Sequence, residues 1–232
     1  MIKIANSHTV VKWSYSLLCF YAVSLFGGDW IELFNGTDLD GWTKRGGAAV
    51  YEVVDGAIVG TSRPNTQNTF ICPQEQFSDF ELTFEVRCDP KLNSGVQIRS
   101  SNRLDSIPEG ISQKSLSRVQ NRVKIGSLFG PQVEIASNGN AGSVYFEGVG
   151  GWITKSFREK VEKIYNKDGW NRYRVLAKEN RIVVWINENK VSDTEDNTSC
   201  MKSGFLGFQV HGVGKQTKPL RVRWSNIKIR KL

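Results

Sequence analysis

The chain has 232 residues, 39% of them hydrophobic and 11% aromatic, with 22 Gly, 6 Pro, 7 Trp and 12 Phe. That supports a sizeable core, and abundant Gly beside scarce Pro fits many short strands joined by tight turns rather than a helical bundle. The formal charge is +8, or +6 without Lys3 and Lys12 of the first segment; the basic residues are dispersed, with no stacking aromatics among them, so no nucleic-acid partner is expected.

Residues 1 to about 24 read as a secretory signal. Lys3 and Lys12 precede an apolar run of 14 residues, 13–26, and Ala22-Val23-Ser24 offers a small-x-small cleavage site. The run is shorter than the ~20 residues of a spanning helix. Cys19 follows Leu18, where a lipoprotein signal wants a small residue. The expectation is therefore an exported protein, periplasmic or extracellular, with no membrane attachment after cleavage.

From there on, period-two alternation dominates. Strands are expected at 30–34, 51–54, 57–60, 69–72 and 79–87, then at 95–99, 131–136, 143–146, 172–178, 181–187, 205–211 and 220–230. The 79–87 segment has Phe80, Leu82, Phe84 and Val86 on one face and Glu81, Thr83, Glu85 and Arg87 on the other. Asp55-Gly56 predicts a tight hairpin turn. The polar, basic stretch 100–130 has the length of a functional loop and joins two chemically armed strands, which makes it a candidate lid. One helix is expected at 155–166, with Phe157, Val161, Ile164 and Tyr165 at helical spacing against the sandwich edge. The final strand interleaves Arg221, Arg223, Lys228 and Arg230 with Val222, Trp224, Ile227 and Ile229, a solvated face over a buried one. With no repeat and no linker, residues 29–232 form a single domain. Past the leader Cys72, Cys88 and Cys200 remain, an odd number without a metal or redox spacing; they are expected as small buried hydrophobes with at most one disulfide.

Three of these strands carry polar pairs at alternating positions: Gln97 and Arg99, Gln132 and Glu134, Gln209 and His211. Side chains two apart on a strand share a face and sit roughly 7 Å apart. If the strands are neighbours, a carboxylate, an imidazole, a guanidinium and three amides meet on one patch. A Gly-rich phosphate loop and a Gly-x-Ser-x-Gly elbow are both absent. Glu134 and His211 could share a divalent ion with waters, but two protein ligands make a weak site, and no cofactor is expected.

Several stretches resemble the 3-keto-disaccharide hydrolase family. They include 33–42 (Leu-Phe-Asn-Gly-Thr-Asp-Leu-Asp-Gly-Trp), 54–58, 79–82, 93–99 (Asn-Ser-Gly-Val-Gln-Ile-Arg) and 130–135 (Gly-Pro-Gln-Val-Glu-Ile). The series continues with 170–173, 204–212 (Gly-Phe-Leu-Gly-Phe-Gln-Val-His-Gly) and 224–229. The likeness runs in order from residue 31 to the end; Asn187-Glu188-Asn189-Lys190, where the family has Asn-Gly, is a departure at a hairpin tip. The resemblance implies an all-β, concanavalin A-like jelly-roll sandwich with one short peripheral helix and a saccharide site on one sheet.

It also implies a substrate whose ketone at carbon 3 acidifies the hydrogen on carbon 2. One base then suffices to start elimination of the group on carbon 1, after which water can add, whereas ordinary glycosidases need two carboxylates. On this reading Glu134 or His211 is the base and the other the acid or orienter. Arg99 stabilises the oxyanion, Gln97, Gln132 and Gln209 hold hydroxyls, Glu147 is a possible second carboxylate, and Trp152 stacks on a sugar ring. The rival readings are a non-catalytic carbohydrate-binding module, which the same fold hosts, and a scaffold or adhesion domain.

Overall fold

The computed structural model describes residues 28–103 and 109–232; the predicted leader lies outside them. In chain order the elements are β1 (Ile31–Glu32), β2 (Trp42–Gly46), β3 (Val50–Val54), β4 (Ala57–Thr61), β5 (Thr69–Pro73), β6 (Gln76–Phe77), β7 (Phe80–Cys88) and β8 (Ser94–Asn102). Helix α1 (Gln113–Arg122) follows, then β9 (Leu128–Ile135), β10 (Val144–Glu147), β11 (Trp152–Thr154) and helix α2 (Arg158–Ile164). The chain ends with β12 (Asn171–Lys178), β13 (Arg181–Ile186), β14 (Asn189–Glu195), β15 (Gly204–Val210) and β16 (Arg221–Lys231).

These strands form two antiparallel sheets. The back sheet runs β14-β13-β12-β7-β16-β4-β3, with β1 on β16; the front sheet runs β11-β10-β9-β8-β15-β5-β2, with β6 on β15. Alternation on each strand turns one row of apolar side chains inward. Phe80, Leu82, Phe84 and Val86 of β7 meet Val96 and Ile98 of β8, Val133 and Ile135 of β9, and Phe208 and Val210 of β15 in one core. Phe84 stacks on Tyr173 at 5.1 Å and meets Phe208 edge-on at 6.0 Å, which locks the sheets together at their centre. The architecture is the expected jelly-roll sandwich.

Asp55 and Gly56 both take positive φ, 49° and 72°, as the two-residue β3–β4 turn requires. In β16 a bulge between Ser225 and Lys228, with Asn226 at φ 51°, inserts one residue and shifts the parity. Val222 and Trp224 before it and Ile227 and Ile229 after it therefore all face the core. The intervening cations pair outward, Arg223 with Asp89, Lys228 with Glu32 and Arg230 with Glu81.

Four corrections arise. Strands β2, β6, β11 and β14 had no strand expectation. There are two helices among the described residues rather than one, because α1 forms inside the supposed 100–130 loop; Ser112 caps it by accepting from the Ser115 N–H at 3.1 Å. Helix α2 is shorter than 155–166, and Phe157 is exposed rather than packed on the edge. Cys72 and Cys88 are buried, Cys200 only partly, and all three are free thiols.

Candidate functional site

Strands β9, β8 and β15 are consecutive neighbours in the front sheet. Gln209 and Glu134 flank Gly95 in one row, and Gln97 faces Gln132 in the next. Because residue 95 has no side chain, Gln132 lies across it; a Cβ there would sit 2.6 Å from the Gln132 side chain. In that slot Gln132 bridges the row, with its Nε2 donating to Glu134 Oε1 at 2.8 Å and its Oε1 accepting from Gln209 Nε2 at 2.8 Å. Asn93, just before β8, donates to the other Glu134 oxygen at 3.3 Å. Gln97 and Gln209 are fully buried and Glu134 is 5% exposed. Burial pushes the Glu134 carboxyl up to about 7; the bonds from Gln132 and Asn93 oppose the shift, and the Glu147 charge adds to it.

Glu147, at the end of β10, is reached from the far side of the sheet. Asn68, beside β5, donates to Glu147 Oε1 at 3.1 Å and accepts from the Gly212 N–H at 2.8 Å. In a flat sheet β5 and β10 would be about 19 Å apart, four strand spacings. The bond therefore requires the twisted sheet to curl across its diagonal, which makes the front face a hollow. Burial raises the Glu147 carboxyl, while the nearby His211 charge and hydrogen bonds from Asn68, the Gly148 backbone and Gln209 pull it back.

The His211 Nδ1 lies 2.8 Å from the Gly212 carbonyl oxygen. A carbonyl can only accept, so Nδ1 carries the hydrogen and neutral His211 keeps its lone pair on Nε2. Two cavities meet at Gly212. One, about 320 Å³, is lined by Glu147, Asn68, Arg122 at the end of α1 and, from the segment after it, Lys124 and Ser127. The other, about 410 Å³, is lined by His211, Asn93 and Lys91. That segment crosses the hollow to β2, where the Gly46 N–H donates to the Gly126 carbonyl at 3.1 Å. The expected lid region thus forms one wall of the hollow.

Arg99 departs from the sequence reading. A bulge between Gln97 and Ser101 puts it at φ 49° and turns its side chain out of the hollow. Its guanidinium donates to the Ser78 carbonyl at 2.5 Å, the Glu179 carbonyl at 2.5 Å and Asp79 Oδ1 at 2.7 Å. These partners sit at the ends of back-sheet strands, so Arg99 clasps the two sheets and is not available as an oxyanion stabiliser. The parity rule fails here because it assumes an unbroken ladder.

Trp152, on edge strand β11, is 39% exposed and meets Tyr145 edge-on at 5.1 Å. Tyr145 pairs with Gln132 across the sheet, which sets both rings on the rim of the hollow. Sequence reasoning missed Tyr145, although its place two residues before Glu147 carried the same alternation signal. It also missed Asn68 and Asn93, which lie outside the strands and carried none. Another cavity, about 790 Å³ and lined by Asn180, Asp196 and Lys202, holds none of the expected site residues. Among the described residues no group of three or more His, Cys, Asp or Glu is arranged to hold a metal ion.

A two-sheet antiparallel sandwich with amides, carboxylates and rim aromatics in the hollow of one sheet is a lectin-like jelly roll. Solved structures share this fold. A candidate glycosyl hydrolase from Parabacteroides distasonis ATCC 8503 is 20% identical, over 88% of this chain and 94% of that one, with a TM-score of 0.57. The carbohydrate-binding module CBM66 from Bacillus subtilis is 13% identical, over 82% and 96%, with a TM-score of 0.55. The κ-carrageenase of Pseudoalteromonas carrageenovora is 10% identical, over 93% and 99%, with a TM-score of 0.56. At such identities the likeness is one of fold, and no curated protein matches the sequence. The family is nonetheless clear: residues 29–230 match the 3-keto-alpha-glucoside-1,2-lyase-like domain, and the chain belongs to that family, a carbohydrate-active one.

Proposed function

We propose that the protein cleaves the glycosidic bond of 3-keto-glycosides by removing the carbon-2 proton and expelling the carbon-1 substituent. The observation that carries this reading is that Glu147 and His211 line two cavities adjoining at Gly212, near enough for the His211 charge to act on the Glu147 carboxyl, backed by family membership. His211 Nε2 takes the carbon-2 proton, and the electrons of that bond form the enolate of the carbon-3 ketone. As the enolate collapses, the carbon-1 to oxygen bond breaks and protonated Glu147 gives its proton to the departing oxygen. A raised carboxyl suits that role. Lys124 and Arg122, which line the Glu147 cavity, supply the positive charge that Arg99 cannot. Glu134 stands behind this pair, both oxygens already taken by amide donors. The product is a 1,2-unsaturated 3-keto sugar, or its hydrate once water adds to carbon 1. We also propose export to the periplasm or beyond, on the strength of the sequence of residues 1–24.

The test is turnover of a 3-keto-disaccharide by His211→Ala and Glu147→Gln, each expected to lose about 10²–10⁴-fold in kcat. Near wild-type turnover by both variants would sink the assignment. A non-catalytic carbohydrate-binding role is favoured by one feature, the exposed Trp152 beside Tyr145 on the rim. Binding of the sugar by wild-type protein with no released aglycone would establish it.

A further inference from the structure

The amides of the hollow carry a direction. An ionised carboxylate has no hydrogen to give, so Gln132 must turn its Nε2 toward Glu134, as it does at 2.8 Å. Its Oε1 is then the only group it can offer Gln209, and Gln209 must answer with Nε2, again at 2.8 Å. Gln209 Oε1 is left over, buried and without a partner. Beside this pair, opposite Gln132 in register, the wholly buried Gln97 has neither Oε1 nor Nε2 partnered. Buried polar groups without partners are rare and costly, and here they cluster beneath the front face, wholly buried beside the Gln132 chain.

We propose that Glu134 is a positioning residue which, through Gln132, fixes the direction of the Gln209 carboxamide and so keeps its N–H turned to the Glu147 carboxylate. The inference rests on the reading of Glu147 as the acid. A proton on Glu134 reverses the chain. The carboxyl then donates to Gln132 Oε1, Gln132 Nε2 donates to Gln209 Oε1, and Gln209 offers N–H where it had offered oxygen. The same turn removes the Gln209 N–H from Glu147, so the two carboxylates sense each other through the amides as well as through space. The groups facing Glu134 are Asn93 ahead of β8, Glu147 on β10, and Gln209 and His211 on and beyond β15. From the back sheet, the Tyr173 hydroxyl donates to the Glu134 backbone carbonyl at 3.2 Å. Burial places the Glu134 titration near neutrality, where the reversal would be felt.

The experiment is a pH titration of ligand-free protein labelled with ¹⁵N and ¹³C. The side-chain amide resonances of Gln132 and Gln209 should move together, at the midpoint of the Glu134 carboxyl carbon, and should stay flat in Glu134→Gln. If the Gln209 amide stays flat in wild-type protein while the Glu134 carboxyl titrates, the relay does not exist; this arm needs no variant. With a 3-keto-disaccharide, Glu134→Gln should move the alkaline limb of kcat upward, because the Gln209 N–H is no longer held on Glu147, and leave the plateau kcat largely unchanged. A hundredfold fall in kcat at constant KM would make Glu134 catalytic and overturn the positioning role. Coupled amide titration without any turnover of the keto-sugar would retain the relay and refute the functional reading instead.

Discussion

A methyl group at residue 95 would meet the Gln132 side chain at 2.6 Å, so the amide chain exists because a glycine leaves room for it. Gly95→Ala should displace Gln132, weaken both of its bonds and cost about 1–3 kcal/mol in thermal unfolding. Combined with Glu134→Gln it should cost less than the two separate losses together, since both act on the same bonds. Arg99 makes the opposite case. Arg99→Met strips two carbonyls and Asp79 of their donor and should cost about 2–4 kcal/mol, with turnover per folded molecule unchanged. A variant that folds as well as wild type and loses turnover would return Arg99 to the active site. Glu134 adds a pH dependence. Burial holds its pKa in the folded state at about 7, above the 4.5 of an ordinary glutamate, so the folded state binds more protons between those values. Stability should fall as pH rises through that window, by about 3 kcal/mol at most. Urea unfolding at pH 5 and pH 8 should show this slope in wild-type protein and little of it in Glu134→Gln.

Elements that bury a full face were legible in the sequence, while most of those that do not were missed, edge strand β3 being read with the help of its Asp55-Gly56 turn. Strand β7, with its clean alternation of Phe80, Leu82, Phe84 and Val86, sits mid-sheet. Strands β2, β11 and β14 are sheet edges, and Trp42-Thr-Lys-Arg-Gly or Asn189-Lys-Val-Ser-Asp-Thr-Glu shows no periodic burial to read. Helix α1 buries only Ser115 and Val119, too little for a helical stripe. Pleat parity likewise put Gln97, Gln132, Glu134 and Gln209 on one face, as the sheet has them, whereas the bulge that removes Arg99 depends on how β8 fits its two neighbours. Asn68 joins elements far apart in the sheet, and no local pattern announces it. Its loss should be visible in chemistry. Asn68→Ala takes a hydrogen bond from the Glu147 carboxylate, a bond that lowers its pKa. The variant should therefore hold Glu147 protonated to higher pH and move the alkaline limb of kcat upward. An unmoved limb would mean that Glu147 is not the acid.

At the scale of the whole molecule the sandwich is a rigid frame whose front sheet curls until Asn68 reaches Glu147, and that curl creates the hollow. A frame of this kind can hold a sugar without transforming it, so fold alone does not separate enzyme from binding module. Stability does, because a ligand that binds only the folded state raises the unfolding free energy by RT ln(1 + [L]/Kd), about 2.7 kcal/mol at a hundredfold excess over Kd. For a chain of this size that is roughly 5–10 °C in Tm. With a 3-keto-disaccharide, wild-type protein should show the shift at first and lose part of it during incubation, as cleavage replaces the ligand with smaller products. Glu147→Gln keeps the hollow and its amides but lacks the acid, so its shift should persist unchanged over the same period. Identical, lasting shifts in both proteins would mean that the hollow binds and does nothing more.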